Sequence, residues 1–567
     1  MSVARGRMAC ASCTKRKVKC SKTVPCVHCI RRGEQDTCGI ISNIESPVIE
    51  HTVSQYFPSS AAPLDHDEQL SALSRRVAEL EAELQQKTYS TPEVASHRVR
   101  NLDTSINRET GGAELARDAV AEDAASILEF LAWGRRKNPE YHAVASPEAA
   151  VTTAQAGEVV ANAQVEPSAA DTGFLQDISH TSVLQLLLPD KQRTWDLVLW
   201  HERCLLWYHC SYYAPSLRKQ LESFYSNHGG SVENPGVNLQ WVAFLFAVLA
   251  GSLTCMPNNT AEQWGFGEDE RETLSKRWFQ AVISCLNKAD YAANHSILSI
   301  QAIATLTVSA HMLGFSSTQS IHLAAAVRIA QSLGLHRLTS DASGSEVEKE
   351  TGRRVWSQLC SQDWFSLPFS ETYLVNPLYS KSELPMNCHD EEVLPLPDFV
   401  PTVTGYSRFL HSIASIMPRL QDGLVSSNTL FTKYEQVVKW DKQLRNLATA
   451  GRPIYLSAVP LDSQWPVFVP WARRSLAISS SHKIIMIHRS FLSESFTNPA
   501  FGFTRRTCLA ASKTIIKEYK CVVEENGPVL WIHQAFSVAA SVILILDVLH
   551  RENCEPESME HLQLYEG

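Results

Sequence analysis

The chain has 567 residues, of which 44% are hydrophobic, and a formal net charge of −9. This length exceeds what one compact core can hold, so we expect two or more domains joined by linkers, including a sizeable globular part. The first residues, MSVARGRMACASC, contain no apolar run of the kind that a secretory signal needs. We therefore expect neither secretion nor a framework of disulfide bonds.

Charge is distributed unevenly along the chain. Residues 1–40 contain nine lysines and arginines but only two acidic residues, Glu34 and Asp36. The rest of the chain holds 42 of the 51 basic and 58 of the 60 acidic residues, a balance of −16. A basic head on an acidic body predicts a polyanionic partner at the head, and nucleic acid is the leading candidate.

The basic head also contains six of the 15 cysteines, in the spacing C-x2-C-x6-C-x5-C-x2-C-x8-C. A tetrahedral zinc ion takes four ligands, so six thiolates can serve two ions only if two sulfurs bridge both of them. The two halves nearly repeat each other, which makes the first cysteine of each half, Cys10 and Cys26, the natural bridge. The predicted zinc ligands are Cys10, Cys13, Cys20, Cys26, Cys29 and Cys38.

Three other interpretations fit the cysteine count less well. A single four-cysteine site would leave two thiols unused, and a cross-brace ring finger would need eight ligands. Three disulfides are plausible only in a secreted protein. His28 is wedged between two predicted ligands and is poorly placed to supply a missing one.

This segment resembles the DNA-binding domain of the fungal-type binuclear zinc-cluster transcription factors, which has two such halves and a basic run after the second cysteine. The resemblance implies two zinc ions per chain, a short helix after each C-x2-C, and bridging by the first and fourth cysteines. It also implies that the first helix reads a CGG triplet in the major groove of double-stranded DNA. By position, Arg16 and Lys17 would contact the bases. The residues nearer the phosphates would be Lys15, Lys19 and Lys22.

The chemistry of these side chains agrees with the implied roles. Arginine and lysine suit the O6 and N7 acceptors of guanine, and such a contact provides about 1–3 kcal/mol of discrimination. Thr14 stands where the family most often has arginine, so we expect one phosphate contact fewer. Alone, KRKVK is also typical of a solvated charge run or a nuclear-import signal, but its place between two zinc ligands favours DNA binding. We expect the protein to act in the nucleus.

After the cysteines, residues 41–65 are predicted to be a linker and residues 66–90 a short coiled-coil helix for dimerisation. Apolar residues in the second segment are spaced as the a and d positions of a heptad repeat. They are Leu70, Leu73, Val77, Leu80 and Leu84. Arg76 at a g position and Glu81 at an e position have the relation that pairs opposite charges across a parallel homodimer. The repeat is short, so the alternative is a single amphipathic helix docked on its own body.

The remainder is predicted to be mostly helical. Residues 91–177 are expected to form a mainly flexible linker with one helix near 115–136, and residues 178–550 an all-α domain, because helical periodicity dominates and hairpin signals are scarce. The acidic tail, residues 551–567, could recruit the transcription machinery or be an ordinary exposed tail. The predicted fold is thus mostly α, with a small zinc-stabilised DNA-binding module in front.

The all-α domain resembles the fungal-specific transcription factor homology region found behind such clusters. The likeness lies in LLWYHCSYYAPSL, AAAVRIAQSLGLHRL, EKETGRRVWSQLCSQDWFSL and VNPLYSKSELPMN, between residues 205 and 387. It implies a regulatory helical domain, in some members one that senses a metabolite, and the effector here is unknown.

Several clusters in this domain could suggest a second site. HERCLLWYHC contains His201, Glu202, Cys204, His209 and Cys210, but it lacks the H-E-x-x-H spacing, and a core helix is the better interpretation. Arg353 and Arg354 with Asp363 are interpreted as a buried or interfacial ion pair. The aromatic core is preferred over a ligand pocket for Trp356, Trp364 and Phe365.

Two apolar stretches are interpreted as buried core helices rather than membrane spans. Residues 234–261 contain no charge, and AFSVAASVILIL begins at Ala535, but neither stretch has flanking lysine or arginine. The nine cysteines outside the head are expected to be buried free thiols.

The sequence therefore predicts a nuclear, sequence-specific regulator of RNA polymerase II transcription that reads CGG-type half-sites as a homodimer, and not an enzyme. A metabolic or secondary-metabolite gene cluster is the expected target, because many members of the resembled family regulate one. The rival hypothesis is a helical metabolite-binding protein or enzyme whose zinc module is merely structural.

Overall fold

The computed structural model describes residues 26–32 and 181–550, which belong to two units divided between Ile106 and Asn107. In the first unit one helical turn, α1 (Val27–Ile30), follows Cys26. The predicted linkers, the coiled-coil helix with its five heptad residues, the helix near 115–136 and the acidic tail lie outside the described residues.

The regular secondary structure of residues 181–550 is entirely helical. The α-helices are α2 (Thr181–Leu187), α3 (Lys191–Cys204), α4 (Leu206–His209), α5 (Ala214–Asn227), α6 (Leu239–Cys255), α7 (Asn258–Gln263), α8 (Glu268–Lys288), α9 (Ile297–Ala310), α10 (Ser316–Ser332), α11 (Glu346–Ser370), α12 (Val403–Ala414), α13 (Ile416–Val425), α14 (Leu430–Ala450), α15 (Val469–His488), α16 (Gly502–Glu524) and α17 (Trp531–Leu549). In this part of the chain no β-strand forms, and an isolated antiparallel bridge joins His389 to Glu392. The predicted mostly-α fold class is confirmed.

Helix α6 is the centre of the first half of this unit. It begins after Asn238, whose side chain accepts the Gln240 N–H, and every residue from Gln240 to Cys255 is buried. Its neighbours are α3, α8 and α9. A Cβ on Gly251 would lie only 3.0 Å from Val308 Cγ2 and 3.1 Å from His201 Nε2, so the glycine allows α9 and α3 to approach closely. The prediction that this apolar stretch is a core helix is confirmed.

The second half is built on α15, α16 and α17, which pack on one another. By length and composition α17 is the one described helix that could cross a membrane, and 56% of its apolar stretch is buried inside the protein. It also carries polar side chains into the core: Asp547 is fully buried and accepts from Arg505 Nε at 2.7 Å, and His533 bonds Ser475 at 2.8 Å. These contacts favour the core interpretation.

One hydrophobic core runs through both halves, and α12 packs on α11 on one side and on α15 on the other. Ser345 and Glu348 form a capping box at the start of α11, which satisfies N–H groups that the first helical turn leaves unpaired. Seven of the cysteines outside the head are buried thiols as predicted: Cys204, Cys210, Cys255, Cys285, Cys360, Cys388 and Cys508. Cys521 is half-buried, and Cys554 lies outside the described residues.

Candidate functional site

The described part of the cysteine cluster is the turn that carries Cys26 and Cys29. Cys26 is in extended conformation just before α1, and its carbonyl accepts the N–H of Cys29 at 2.9 Å and of Ile30 at 3.0 Å. The spacing i, i+3 puts both thiols on the same side of one helical turn. The family resemblance implies a short helix after the second C-x2-C, whereas α1 begins inside that motif, at Val27, and ends at Ile30.

Burial in this turn is the reverse of what hydrophobicity would give. The two cysteines are 0% and 2% exposed, whereas the apolar side chains of Val27 and Ile30 are 44% and 53% exposed. A segment this short has no apolar core, so the thiols are gathered inward for another reason. Two buried thiols on one face fit zinc ligation, in which each sulfur binds as the thiolate.

The basic residues at the end of this turn are exposed. Arg31 and Arg32 follow α1, and the Arg32 N–H donates to the Cys29 carbonyl at 3.2 Å. Positive charge at a helix C-terminus is favourable, and here it also adds to the basic surface of the head. The other predicted ligands and contacts lie outside the described residues: Cys10, Cys13, Cys20 and Cys38, and Lys15, Arg16, Lys17, Lys19 and Lys22.

Residues 181–550 offer no second metal centre. Among the described residues no three histidine, cysteine, aspartate or glutamate side chains are grouped so that they could hold an ion. His201 Nδ1 bonds the Tyr212 hydroxyl at 2.8 Å, and His209 Nδ1 bonds the Ser211 hydroxyl at 2.7 Å. Both rings are fully buried, and burial lowers the pKa of His209 to about 3, which keeps it neutral. The core interpretation of HERCLLWYHC is confirmed.

The ion pair predicted for Arg353 and Arg354 exists, but its predicted partner is wrong. Arg354 is fully buried and pairs with Glu350 at 2.9 Å and with Asp390 at 2.7 Å. Asp363 instead accepts the N–H groups of residues 374 and 375 at 2.8–3.0 Å. It lies more than two turns beyond Arg354 on α11, whereas Glu350 lies one turn before it. The i, i+4 spacing of Glu350 and Arg354 was the sequence signal for the correct partner.

Trp356, Trp364 and Phe365, the three aromatic residues of α11 singled out in the sequence, divide between two roles. Trp356 and Trp364 are buried, and their indole N–H groups donate at 2.8 Å to Ser380 Oγ and to the Val375 carbonyl. Trp356 and Trp364 are therefore core residues, which confirms the prediction made for them. Phe365 lines a cavity of about 170 Å³ together with Lys483, a residue that sequence reasoning missed. The run SSSHKIIMIH, polar residues inside a buried helix, was the available signal.

Comparison with known proteins agrees with this arrangement. Residues 8–46 match the fungal Zn(2)-Cys(6) binuclear cluster domain, and residues 203–448 match the fungal specific transcription factor domain. The first match covers all six predicted ligands and the basic run between them.

Similar proteins extend the match over the whole chain. The agnestins biosynthesis cluster transcription factor AgnL11 of Paecilomyces divaricatus is 23% identical over 99% of this chain and 81% of its own length. The Zn(2)-C6 fungal-type transcription factor mpsB of Macrophomina phaseolina is 23% identical over 91% of this chain and 69% of its own. The probable transcription factor lepB of Aspergillus flavus is 23% identical over 64% of this chain and 67% of its own length.

A binuclear cluster domain binds two zinc ions, and two of its cysteines, Cys26 and Cys29, are buried on one helical turn. The helical domain behind it is the one that accompanies this cluster in transcription regulators. The chain therefore carries a zinc-binding, DNA-binding cluster domain and the fungal specific transcription factor domain, which together mark a transcription regulator and not an enzyme.

Proposed function

We propose that this protein acts in the nucleus as a homodimer that reads CGG-type half-sites and regulates transcription by RNA polymerase II. One observation carries the proposal: KRKVK stands between two cysteines of a binuclear cluster domain. The cluster can hold this run as a rigid helix although the segment is too small for a hydrophobic core. A rigid basic helix is what the major groove admits.

The basic side chains would divide the work of recognition. Arg16 and Lys17 would bond guanine O6 and N7, which discriminates between sequences. The flanking residues would neutralise phosphates, which adds affinity at every sequence. These phosphate-binding residues are Lys15, Lys19 and Lys22.

The proposed domain layout assigns a task to each further segment. Residues 1–40 bind DNA, residues 41–65 set the half-site spacing, and residues 66–90 pair two chains. A second linker, residues 91–177, leads to the regulatory domain at 178–550. The acidic tail at 551–567 would contact the transcription machinery.

A gene cluster for a metabolite is the proposed target. AgnL11 is named for the agnestins biosynthesis cluster, and this chain aligns with it over nearly its whole length. The identity of 23% supports a shared kind of task and not a shared set of genes.

Gel-shift titration of the full-length protein tests the proposed recognition of CGG-type half-sites. The duplexes would carry two CGG triplets or scrambled triplets, at several salt concentrations. Arg16→Ala or Lys17→Ala should weaken binding to the CGG duplex by about 1–3 kcal/mol and should barely change binding to the scrambled duplex. Affinity should fall steeply with salt, because phosphate contacts release counterions.

Arg31→Ala is the matched control, since it removes one exposed positive charge from the same domain outside the reading helix. It should weaken binding to both duplexes alike and reduce the salt slope by about one. If Arg16→Ala and Lys17→Ala behave like this control, base reading by these residues is wrong. If binding shows no salt slope at all, the proposal fails as a whole.

A further inference from the structure

A cavity of about 170 Å³ lies where the two halves of the helical domain meet. Its wall comes from α9, α10 and α11 on one side and from α15 and α17 on the other. Phe365, Trp531 and Phe536 give it an aromatic lining, with serine and glutamine side chains between them. An apolar protein cavity of about 150 Å³ holds a benzene molecule, so this one has room for a single ring with a small substituent.

Lys483 is the charged residue of this cavity. It is 6% exposed, and its ammonium lies 4.3 Å from the ring centre of Phe365 and 5.2 Å from that of Phe536. The wall contains no aspartate or glutamate, and in residues 26–32 and 181–550 no carboxylate pairs with Lys483 within 4.0 Å. A buried ammonium ordinarily has an anionic partner, because burial removes its hydration. Aromatic faces attract the cation but do not replace that partner.

Two further polar atoms of the wall have no hydrogen-bond partner. His482 Nδ1 is buried and unbonded, and its ring stacks on Phe536 with centroids 3.5 Å apart. Gln319 Oε1 is likewise buried and unbonded, although its Nε2 donates to the Ile303 carbonyl at 2.8 Å. Buried polar atoms are nearly always bonded in native proteins, so these two atoms of one cavity wall are available to an occupant.

We propose that this cavity binds a small aromatic carboxylate as a regulatory ligand of the helical domain. The carboxylate would pair with Lys483 Nζ, and the ring would pack between the side chains of Phe365, Trp531 and Phe536. The bound ligand would contact α11 on one side and α15 and α17 on the other. It would therefore stabilise the packing of these helices against one another. This binding does not depend on DNA recognition.

Calorimetric titration of the full-length protein with benzoate and with benzamide, its uncharged isostere, tests the proposal. Wild type should bind benzoate at least about tenfold more tightly than benzamide, because only benzoate pairs with the ammonium. Lys483→Met should weaken benzoate binding by about 10–100-fold and change benzamide binding by less than about threefold. Lys483→Arg should retain the preference for benzoate.

Lys276→Met is the matched control, because Lys276 is exposed and pairs with Glu272 one turn away. It should leave both titrations unchanged. Equal benzoate affinity in Lys483→Met and wild type, equal affinity of wild type for the two compounds, or no binding of either would each overturn the proposal. A cooperative thermal unfolding transition of each variant would verify that the variant is folded.

Proton uptake gives a second readout. Burial lowers the pKa of Lys483 to about 7, so near pH 8 most empty cavities hold a neutral amine that benzoate binding would protonate. The other titratable groups facing the cavity are Tyr208, His311 and His482. Burial raises the pKa of Tyr208 and lowers the pKa of both histidines, so these stay neutral.

Benzoate titrations in two buffers of different ionisation enthalpy should therefore show uptake of nearly one proton in wild type and none in Lys483→Met. Equal uptake in both would assign the proton to another group and overturn the pairing. Gel shifts on the same preparations report DNA binding separately. If benzoate does not bind as proposed, the proposed DNA function is unaffected. A failed gel shift likewise does not affect the proposal for the cavity.

Discussion

Arg354 illustrates how this core accommodates a full charge. Its guanidinium pairs with Glu350 and Asp390 and donates to the Tyr212 carbonyl at 3.2 Å, and it is completely buried. Glu350 in turn accepts the Met386 N–H at 2.9 Å. Burying three charges costs hydration that only complete pairing offsets, so removal of one member costs far more than the intact group contributes.

Arg354→Met should lower the free energy of unfolding near neutral pH by about 3–5 kcal/mol, because Asp390 would lose its buried partner and Glu350 would keep only Arg353, 4.0 Å away. Urea unfolding followed by circular dichroism measures this change. Lys276→Met is the control: its exposed pair with Glu272 should contribute no more than about 0.5 kcal/mol.

The cost of Arg354→Met should also depend on pH. Burial already raises the pKa of Glu350 above its ordinary value of 4.5, and loss of the arginine would raise it further. In the variant the folded chain then holds a proton that the unfolded chain has released, so stability falls as pH rises from about 5 to about 7. A variant no less stable than the control, or equally destabilised at both pH values, would contradict this account.

At the scale of single residues, the sequence was informative where chemistry is local. The predicted zinc ligands followed from counting thiols against coordination positions, and two of them, Cys26 and Cys29, are buried on one turn. Asp390, in contrast, stands 36 residues from Arg354, and no local rule relates the two. The apolar run that follows Lys483 indicates a buried helix, but which groups pack around the ammonium depends on α11 and α17, which are distant along the chain.

At the scale of helices, some boundaries and environments follow from the local sequence, and others depend on contacts distant along the chain. Helix α6 was predicted as core from its apolar composition, and its Ser252 hydroxyl is satisfied by the Leu197 and Val248 carbonyls. The break between α3 and α4 was not predicted. Leu205 has φ −123° there, and Cys210 ends α4 at φ 48°. A cysteine does not favour the left-handed conformation of Cys210, so tertiary packing decides where α4 ends.

The proposed coiled coil, residues 66–90, would be a helix whose apolar a and d side chains pack against those of a second copy. Leu80→Asp puts a charge at a d position of that stripe and should convert dimers to monomers at micromolar concentration, as measured by light scattering after gel filtration. Binding to a duplex with two CGG triplets should then fall to the level of a duplex with one.

Ala82→Asp is the matched control for this helix, because the f position of the heptad points away from the partner. It should leave both the dimer and the DNA preference intact. A Leu80→Asp protein that remains dimeric would favour the alternative, a helix docked on its own body, and would move the dimer contact elsewhere.

On the scale of the whole molecule, the core is larger than the matched domain. The match to the fungal specific transcription factor domain ends at residue 448, yet α15, α16 and α17 belong to the same hydrophobic core as α6. The Val529 N–H donates to the Cys255 carbonyl at 2.8 Å, a contact between the two halves. The sequence predicted an all-α body of this extent, but contacts so distant along the chain leave no periodic signal by which to predict them.

Zinc should support only one of the two units. A cluster domain without an apolar core folds through its metal, whereas residues 181–550 hold no metal-binding group and depend on the hydrophobic core. Treating the full-length protein with a chelator should release two zinc ions per chain and abolish binding to the CGG duplex. Far-UV circular dichroism and the thermal unfolding of the helical unit should stay as they were.

Thiol titration during the same treatment tells the two sets of cysteines apart. The six cluster thiols should become reactive as zinc leaves, because the metal no longer holds them. The buried thiols of the helical unit should stay unreactive, since burial raises the pKa of Cys255 and of Cys285 to about 12. Renewed zinc should restore DNA binding. Helicity lost together with zinc, or DNA binding that survives chelation, would show that the metal serves the molecule in another way.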